Sequence, residues 1–270
     1  MDANVSYGFK DNISNAVSSR DIFEDQFIAA NLNIGKLWVP YTGKSVVPGG
    51  HLGTENFNDT YGLDRYSYGA LLTYIQRLGL GAYTPRLGIG FSADKRDFQT
   101  NSRDGWLYRT NIGLEKRFLP QLHAKLELTA ERRAADASKA VPYSDLAPGD
   151  VFNQSNNELA ASMDYTLENN SVISVRYFYR DGEVDASTNP GSEFFGFSKA
   201  IAKDFQLCDS CGQYAVYLID ASSHSFMLDW NWALGKDTSI SANYERRVAN
   251  ANGGITYTGN SFIVQLDRRL

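Results

Sequence analysis

The stretch Leu122-His123-Ala124-Lys125-Leu126-Glu127-Leu128-Thr129-Ala130-Glu131-Arg132-Arg133 decides the fold. Its apolar residues, Leu122, Ala124, Leu126, Leu128 and Ala130, fall on every second position. Between them stand His123, Lys125, Glu127, Thr129, Glu131 and Arg133. A helix would scatter these charges around its circumference, whereas an extended strand collects them on one side.

The same alternation recurs in both directions along the chain. Trp106, Tyr108, Ile112, Leu114 and Phe118 oppose Arg109, Asn111, Gly113, Glu115 and Arg117. Residues 86–94, 158–167, 173–180, 226–234 and 239–248 repeat it, and weaker versions occur at 3–10, 27–38, 66–77 and 261–267. These strands are long, roughly 10–14 residues, where soluble strands run to about 5–6. Their connections differ in length. Short turns fall at Gly79–Ala82, Leu119–Pro120, Glu168–Asn170 and Gly235–Asp237, and long loops at 40–63, 135–156 and 182–223. Short turns at one end and long loops at the other are the plan of an outer-membrane barrel. Trp38, Tyr66, Trp106, Phe118, Tyr165, Tyr179, Trp230 and Trp232 sit near strand ends, as an aromatic girdle requires.

Composition supports strands. The 270 residues include 16 Tyr, 15 Phe and 23 Gly but only 7 Pro. A net charge of −5 argues against a nucleic-acid partner, which selects a basic face. No run approaches the roughly 18 apolar residues of a spanning helix, which leaves strand-crossing membrane proteins untouched. No phosphate-binding loop, dinucleotide fingerprint, HExxH or GxSxG occurs. Met1 followed by Asp2 reads as an initiator on a mature chain from which a targeting segment was removed.

The expectation is an all-β fold: one domain over 1–270, a single closed antiparallel transmembrane β-barrel of twelve strands, with ten as the alternative count. The extra strand is expected within 40–56 or 205–222. Over its whole length the chain resembles Gram-negative outer-membrane β-barrels. The segment Asn260-Ser261-Phe262-Ile263-Val264-Gln265-Leu266-Asp267 resembles the terminal strand of that class, although the chain closes on Arg268-Arg269-Leu270 rather than on an aromatic residue. The stretch from Asp229 to Leu270 is similar in style to porins found with exopolysaccharide export systems. The resemblance implies a bacterial outer-membrane location, contact with lipid and lipopolysaccharide, and a periplasmic or exopolysaccharide-system partner.

If the apolar face meets lipid, the other face lines a lumen. Arg109, Arg117, Arg176, Arg180, Arg247 and Lys125 then face Glu115, Glu127, Glu131, Asp164, Asp229 and Glu245. Near balance suggests wetted ion pairs, because an unpaired charge in such a place is costly. The first reading is a channel passing small polar or anionic solutes, saccharides among them, with loop 182–223 as its filter. A non-conducting barrel that displays loops to a partner is the alternative. A lipid-modifying enzyme is a third reading, resting only on His224 among Ser222, Ser223 and Ser225. Cys208 and Cys211 suggest a local disulfide in the longest loop, since a CxxC metal site needs a second ligand pair. No catalytic group, metal or cofactor is expected.

Overall fold

The computed structural model describes residues 1–100, 102–136, 150–189, 193–203 and 214–270. Its strands are β1 (Asp2–Lys10), β2 (Asp25–Gly35), β3 (Trp38–Tyr41), β4 (Lys44–Phe57), β5 (Arg65–Arg77), β6 (Arg86–Phe98) and β7 (Gly105–Arg117). They continue with β8 (Leu122–Ala135), β9 (Gln154–Thr166), β10 (Val172–Thr188), β11 (Ala200–Lys203), β12 (Ala215–Ala233), β13 (Thr238–Ala251) and β14 (Ile255–Arg269). All pairings are antiparallel, and β1 pairs with both β2 and β14. The sheet therefore closes on itself. Twelve strands form the ring, while β3 pairs only with β4 and β11 only with β12.

Alternation turns the wall inside out relative to a soluble protein. Leu126, Leu128 and Met163 are 52%, 55% and 53% exposed on the outer face, whereas Ser174, Asn156 and Asp94 on the inner face are buried. Trp106 stacks on Tyr108 near the loop end of the barrel, with ring centroids 6.2 Å apart. Trp230 stacks on Trp232 near the opposite end, also at 6.2 Å. Each pair is an i, i+2 neighbour on one strand face, and together they mark two interfacial belts.

Both chain ends lie at one rim, where the connections 78–85, 118–121, 167–171 and 234–237 are short. The opposite rim carries 11–24 and 58–64, and there β6 gives way to β7, β8 ends at Ala135, β9 begins at Gln154, β10 ends at Thr188 and β12 begins at Ala215. The extra strand expected within 40–56 or 205–222 falls in the first of these, and the expected loop 40–63 is corrected accordingly. Residues 44–57 cross the barrel as β4, and only 58–64 remain as a loop at that rim. Pro48 and three glycines hide this strand, yet the glycines are what let it pack. A Cβ on Gly49 would lie 2.6 Å from the Ile34 carbonyl, and one on Gly53 2.6 Å from Asn31 Oδ1. The loop 182–223 is also shorter than expected, because β10 runs on to Thr188 and β12 begins at Ala215. The loop 135–156 likewise narrows to 136–153.

The β10–β12 extension stands above the ring with β11 added to it, and apolar groups cover both of its faces. Tyr217, Ile219, Ile201 and Tyr257 pack on one side. Val216, Leu218, Ala200 and Phe152 pack on the other. This is the only apolar packing of soluble-protein type among the described residues.

Gly69 allows β5 to approach β6, since a Cβ there would meet the Ala93 carbonyl at 2.5 Å and Asp94 Cα at 2.9 Å. Gly69→Ala is expected to lower unfolding free energy by about 1–3 kcal/mol, as overpacking against backbone does. Urea titration followed by tryptophan fluorescence in micelles measures it. Wild-type stability in that variant would contradict the close approach.

Candidate functional site: the charged interior

Period-two alternation carries the polar set inward from every ring strand, and register decides which charges meet. Arg109 of β7 lies opposite Glu131 of β8. Its Nε donates to Glu131 Oε2 at 2.7 Å. Arg180 of β10 reaches past β9 and donates from Nη2 to Glu131 Oε1 at 2.6 Å. One carboxylate thus holds two guanidiniums, each oxygen taking one. Lys125 Nζ stands 2.6 Å from Glu127 Oε2, which also accepts from Asn111 Nδ2 at 2.8 Å. Arg86 and Glu115 pair at 3.2 Å near the rim that carries the termini. Towards the loop rim, Glu55 pairs with Arg65 and with Lys10 Nζ, the latter at 3.5 Å. Lys10 also lies 4.7 Å above the Phe27 ring, a cation–π contact.

These pairs leave positive charge in excess on one wall. Arg65, Arg96, Arg109 and Arg133 rise from the consecutive strands β5, β6, β7 and β8, and Arg96 stands within the field of the other three and of Glu131. Arg133 donates from Nη2 to the Arg103 carbonyl at 2.8 Å and lies 5.3 Å above the Phe98 ring. Among the described residues, no carboxylate comes within ion-pair distance of Arg96. Like charges held this close favour an anion or a counter-ion between them.

The loop-side mouth is built around Asp185 of β10. Its carboxylate accepts from Arg103 Nη1 at 2.6 Å and from Gln154 Nε2 at 2.8 Å. Its carbonyl accepts from Asn15 Nδ2 at 3.0 Å. Segment 11–24 folds in over this point. Ser187 N donates to the Ser14 carbonyl at 2.9 Å, and Asp21 accepts from Thr188 Oγ1 at 2.9 Å. Above them Lys199 bonds Asp220 and, at 2.9 Å, Glu183. Those two carboxylates hold its ammonium pKa above the ordinary value.

Three cavities follow one another through the interior. One of about 210 Å³ is bounded by Lys10, Asn12, Asn15, Glu245 and Arg247. The next, about 320 Å³, shares Asn15, Glu245 and Arg247 with it and adds Glu158, Arg180 and Phe178. The third, about 280 Å³, shares Phe178 and is bounded by Lys125, Glu127, Asp164 and Arg176.

The sequence-derived set thus falls into groups. Arg109, Glu131 and Arg180 form one network, Lys125, Glu127, Asp164 and Arg176 surround one cavity, and Glu245 and Arg247 divide the other two. Glu115 sits with Arg86, and Asp229 faces Asn243 Nδ2 at 3.5 Å. Arg117 is exposed at the end of β7 and joins none of these groups. Sequence reading missed Arg65, Arg96, Arg103, Asn15 and Asp185. Arg65 and Arg96 obey the alternation of their strands; Asn15 and Asp185 carry no local signal.

Cys208 and Cys211, with much of the loop expected to act as a filter, lie outside the described residues. The seryl–histidyl arrangement is not assembled, since His224 Nδ1 lies 2.7 Å from the Tyr177 hydroxyl on the outer wall and Ser223 and Ser225 are buried. Among the described residues no three metal-ligating side chains converge.

No protein-family model matches the chain, and no curated protein matches it by sequence. Solved structures share its fold. The COG4313 outer membrane channel from Pseudomonas putida F1 superposes with a TM-score of 0.63 at 10% identity, covering 99% of this chain and 94% of that one. A KdgM porin in complex with disordered oligogalacturonate gives 0.52 at 8% identity, covering 100% and 99%. The Salmonella typhi outer membrane phospholipase dimer with bound calcium gives 0.50 at 8% identity, covering 99% and 90%. The fold is that of Gram-negative outer-membrane barrels.

Glu131→Gln removes the charge that holds Arg109 and Arg180, and is expected to lower stability by about 1–3 kcal/mol. Glu115→Gln, whose partner Arg86 is half-exposed, is expected to change it by less than about 1 kcal/mol. Equal effects in urea titrations of the two variants would contradict the central role of Glu131.

Proposed function

We propose that this barrel sits in the bacterial outer membrane and passes small polar solutes, anionic ones preferentially, by diffusion through its charged interior. The observations that carry this reading are the arginine array on β5–β8, in which Arg96 has no carboxylate ion-pair partner among the described residues, and the polar cavities bounded by Arg176, Arg180 and Arg247 in the same interior. Arg109, Arg176, Arg180 and Arg247 attract anionic groups. Glu127 and Glu131 hold the basic side chains in place and keep the wall from collapsing onto a single solute. Mixed charge of this kind lowers the barrier to entry without trapping what enters. The fold shared with a channel and with a porin captured with oligogalacturonate supports a carboxylated saccharide as one cargo class. The outer wall meets lipid, and its rim meets lipopolysaccharide.

A second reading is favoured by one observation. Segments 11–24 and 99–104 meet on Asp185 across the mouth, as a barrel that displays its loops without conducting would require.

Single-channel recording of the refolded chain in a planar bilayer separates the two. Stable unitary steps with anion preference are expected. Arg176→Glu is expected to lower the chloride-to-potassium permeability ratio by about twofold or more. A correctly folded, heat-modifiable barrel that shows no steps would overturn the channel reading in favour of the second.

A further inference from the structure

We propose that Asn15 sets the specificity of this interior: its amide oxygen occupies the Arg247 guanidinium where an anionic solute binds, so anions pass by exchanging one oxygen for another. This rests on the channel reading above.

The geometry is that of a bridge. Asn15 has a positive φ of 50°, a left-handed conformation that asparagine tolerates better than most residues. This turn brings its side chain between two strands. Oδ1 accepts from Arg247 Nη2 on β13, and Nδ2 donates to the Asp185 carbonyl on β10 at 3.0 Å. Those strands are separated by β12, so the amide spans its breadth. The two loop-side cavities share three residues, Asn15, Glu245 and Arg247. A solute moving between them passes the bridge.

The chemistry explains why the bridge is an amide. A neutral carbonyl oxygen orders a guanidinium without cancelling its charge. A carboxylate or phosphate oxygen adds its own full negative charge to the same bond and can take the guanidinium bidentately, so it binds that group more strongly than the amide does. An incoming anion therefore displaces Asn15 from Arg247, while a neutral solute does not. The backbone bond from Ser187 to Ser14 and the side-chain bond from Thr188 to Asp21 keep the segment in place as the Asn15 side chain lets go.

The full chain, refolded in a planar bilayer, tests this in a potassium chloride gradient and then in potassium glucuronate. Asn15→Asp places a carboxylate on Arg247 and is expected to lower the chloride-to-potassium permeability ratio by about twofold to fivefold. Asn15→Ala frees Arg247 and is expected to raise both that ratio and the glucuronate current. In an Arg247→Gln background the Asn15 variants are expected to become alike, as residues acting as one unit do. Should Asn15→Asp fail to show heat-modifiable migration, Asn15→Ser takes its place, with a change in selectivity expected. Wild-type selectivity in folded Asn15 variants would overturn the inference and leave the channel standing. Absence of unitary steps in the wild-type chain would remove both.

Discussion

A backbone in hydrocarbon finds no water to bond, so each N–H and C=O of a spanning strand needs a partner on a neighbour. A sheet meets that demand only by closing. The pairing of β1 with β14, in continuous register from Asp2–Arg269 to Lys10–Ser261, is what closes this one. Everything else in the molecule is downstream of that seam. Closure fixes which side of each strand meets lipid and gathers the charged side chains of the inner faces into one interior.

That interior then has to be made tolerable. It is not filled with apolar side chains, and most of its charges are not buried singly. They are shared: Glu131 takes Arg109 and Arg180, and Glu55 takes Lys10 and Arg65. Aromatic faces absorb part of the remainder, with Phe98 lying beneath both Arg65 and Arg133. What is not absorbed is a positive surplus around Arg96, and the proposed anion preference rests on it. The apolar packing has moved to the rim, where the β10–β12 extension builds a small two-sided core that holds the mouth in shape.

How much of this the sequence discloses depends on what each strand faces. Strand β8 is legible at sight, because one face meets lipid and the other charge. Strand β4 is not. Pro48, Gly49, Gly50 and Gly53 look like loop punctuation, and only the closeness of Ile34 and Asn31 on β2 shows that side chains would not fit. The upper half of β12, Ala215-Val216-Tyr217-Leu218-Ile219, loses its alternation because both faces are covered. The face assignment of Arg109, Glu131 and Arg180 could be read from periodicity, but their union on one carboxylate depends on register across β9. Asn15 was out of reach, since its hydrogen-bond partners lie on two strands more than 150 residues away.

The central claim, that the charged interior is a continuous path preferring anions, is tested most directly by swelling of liposomes carrying the refolded chain, in galacturonate and in galactose at matched osmolarity. The account predicts swelling above that of protein-free liposomes in both, and faster in galacturonate. No swelling in either, from a barrel that migrates as folded, would contradict it.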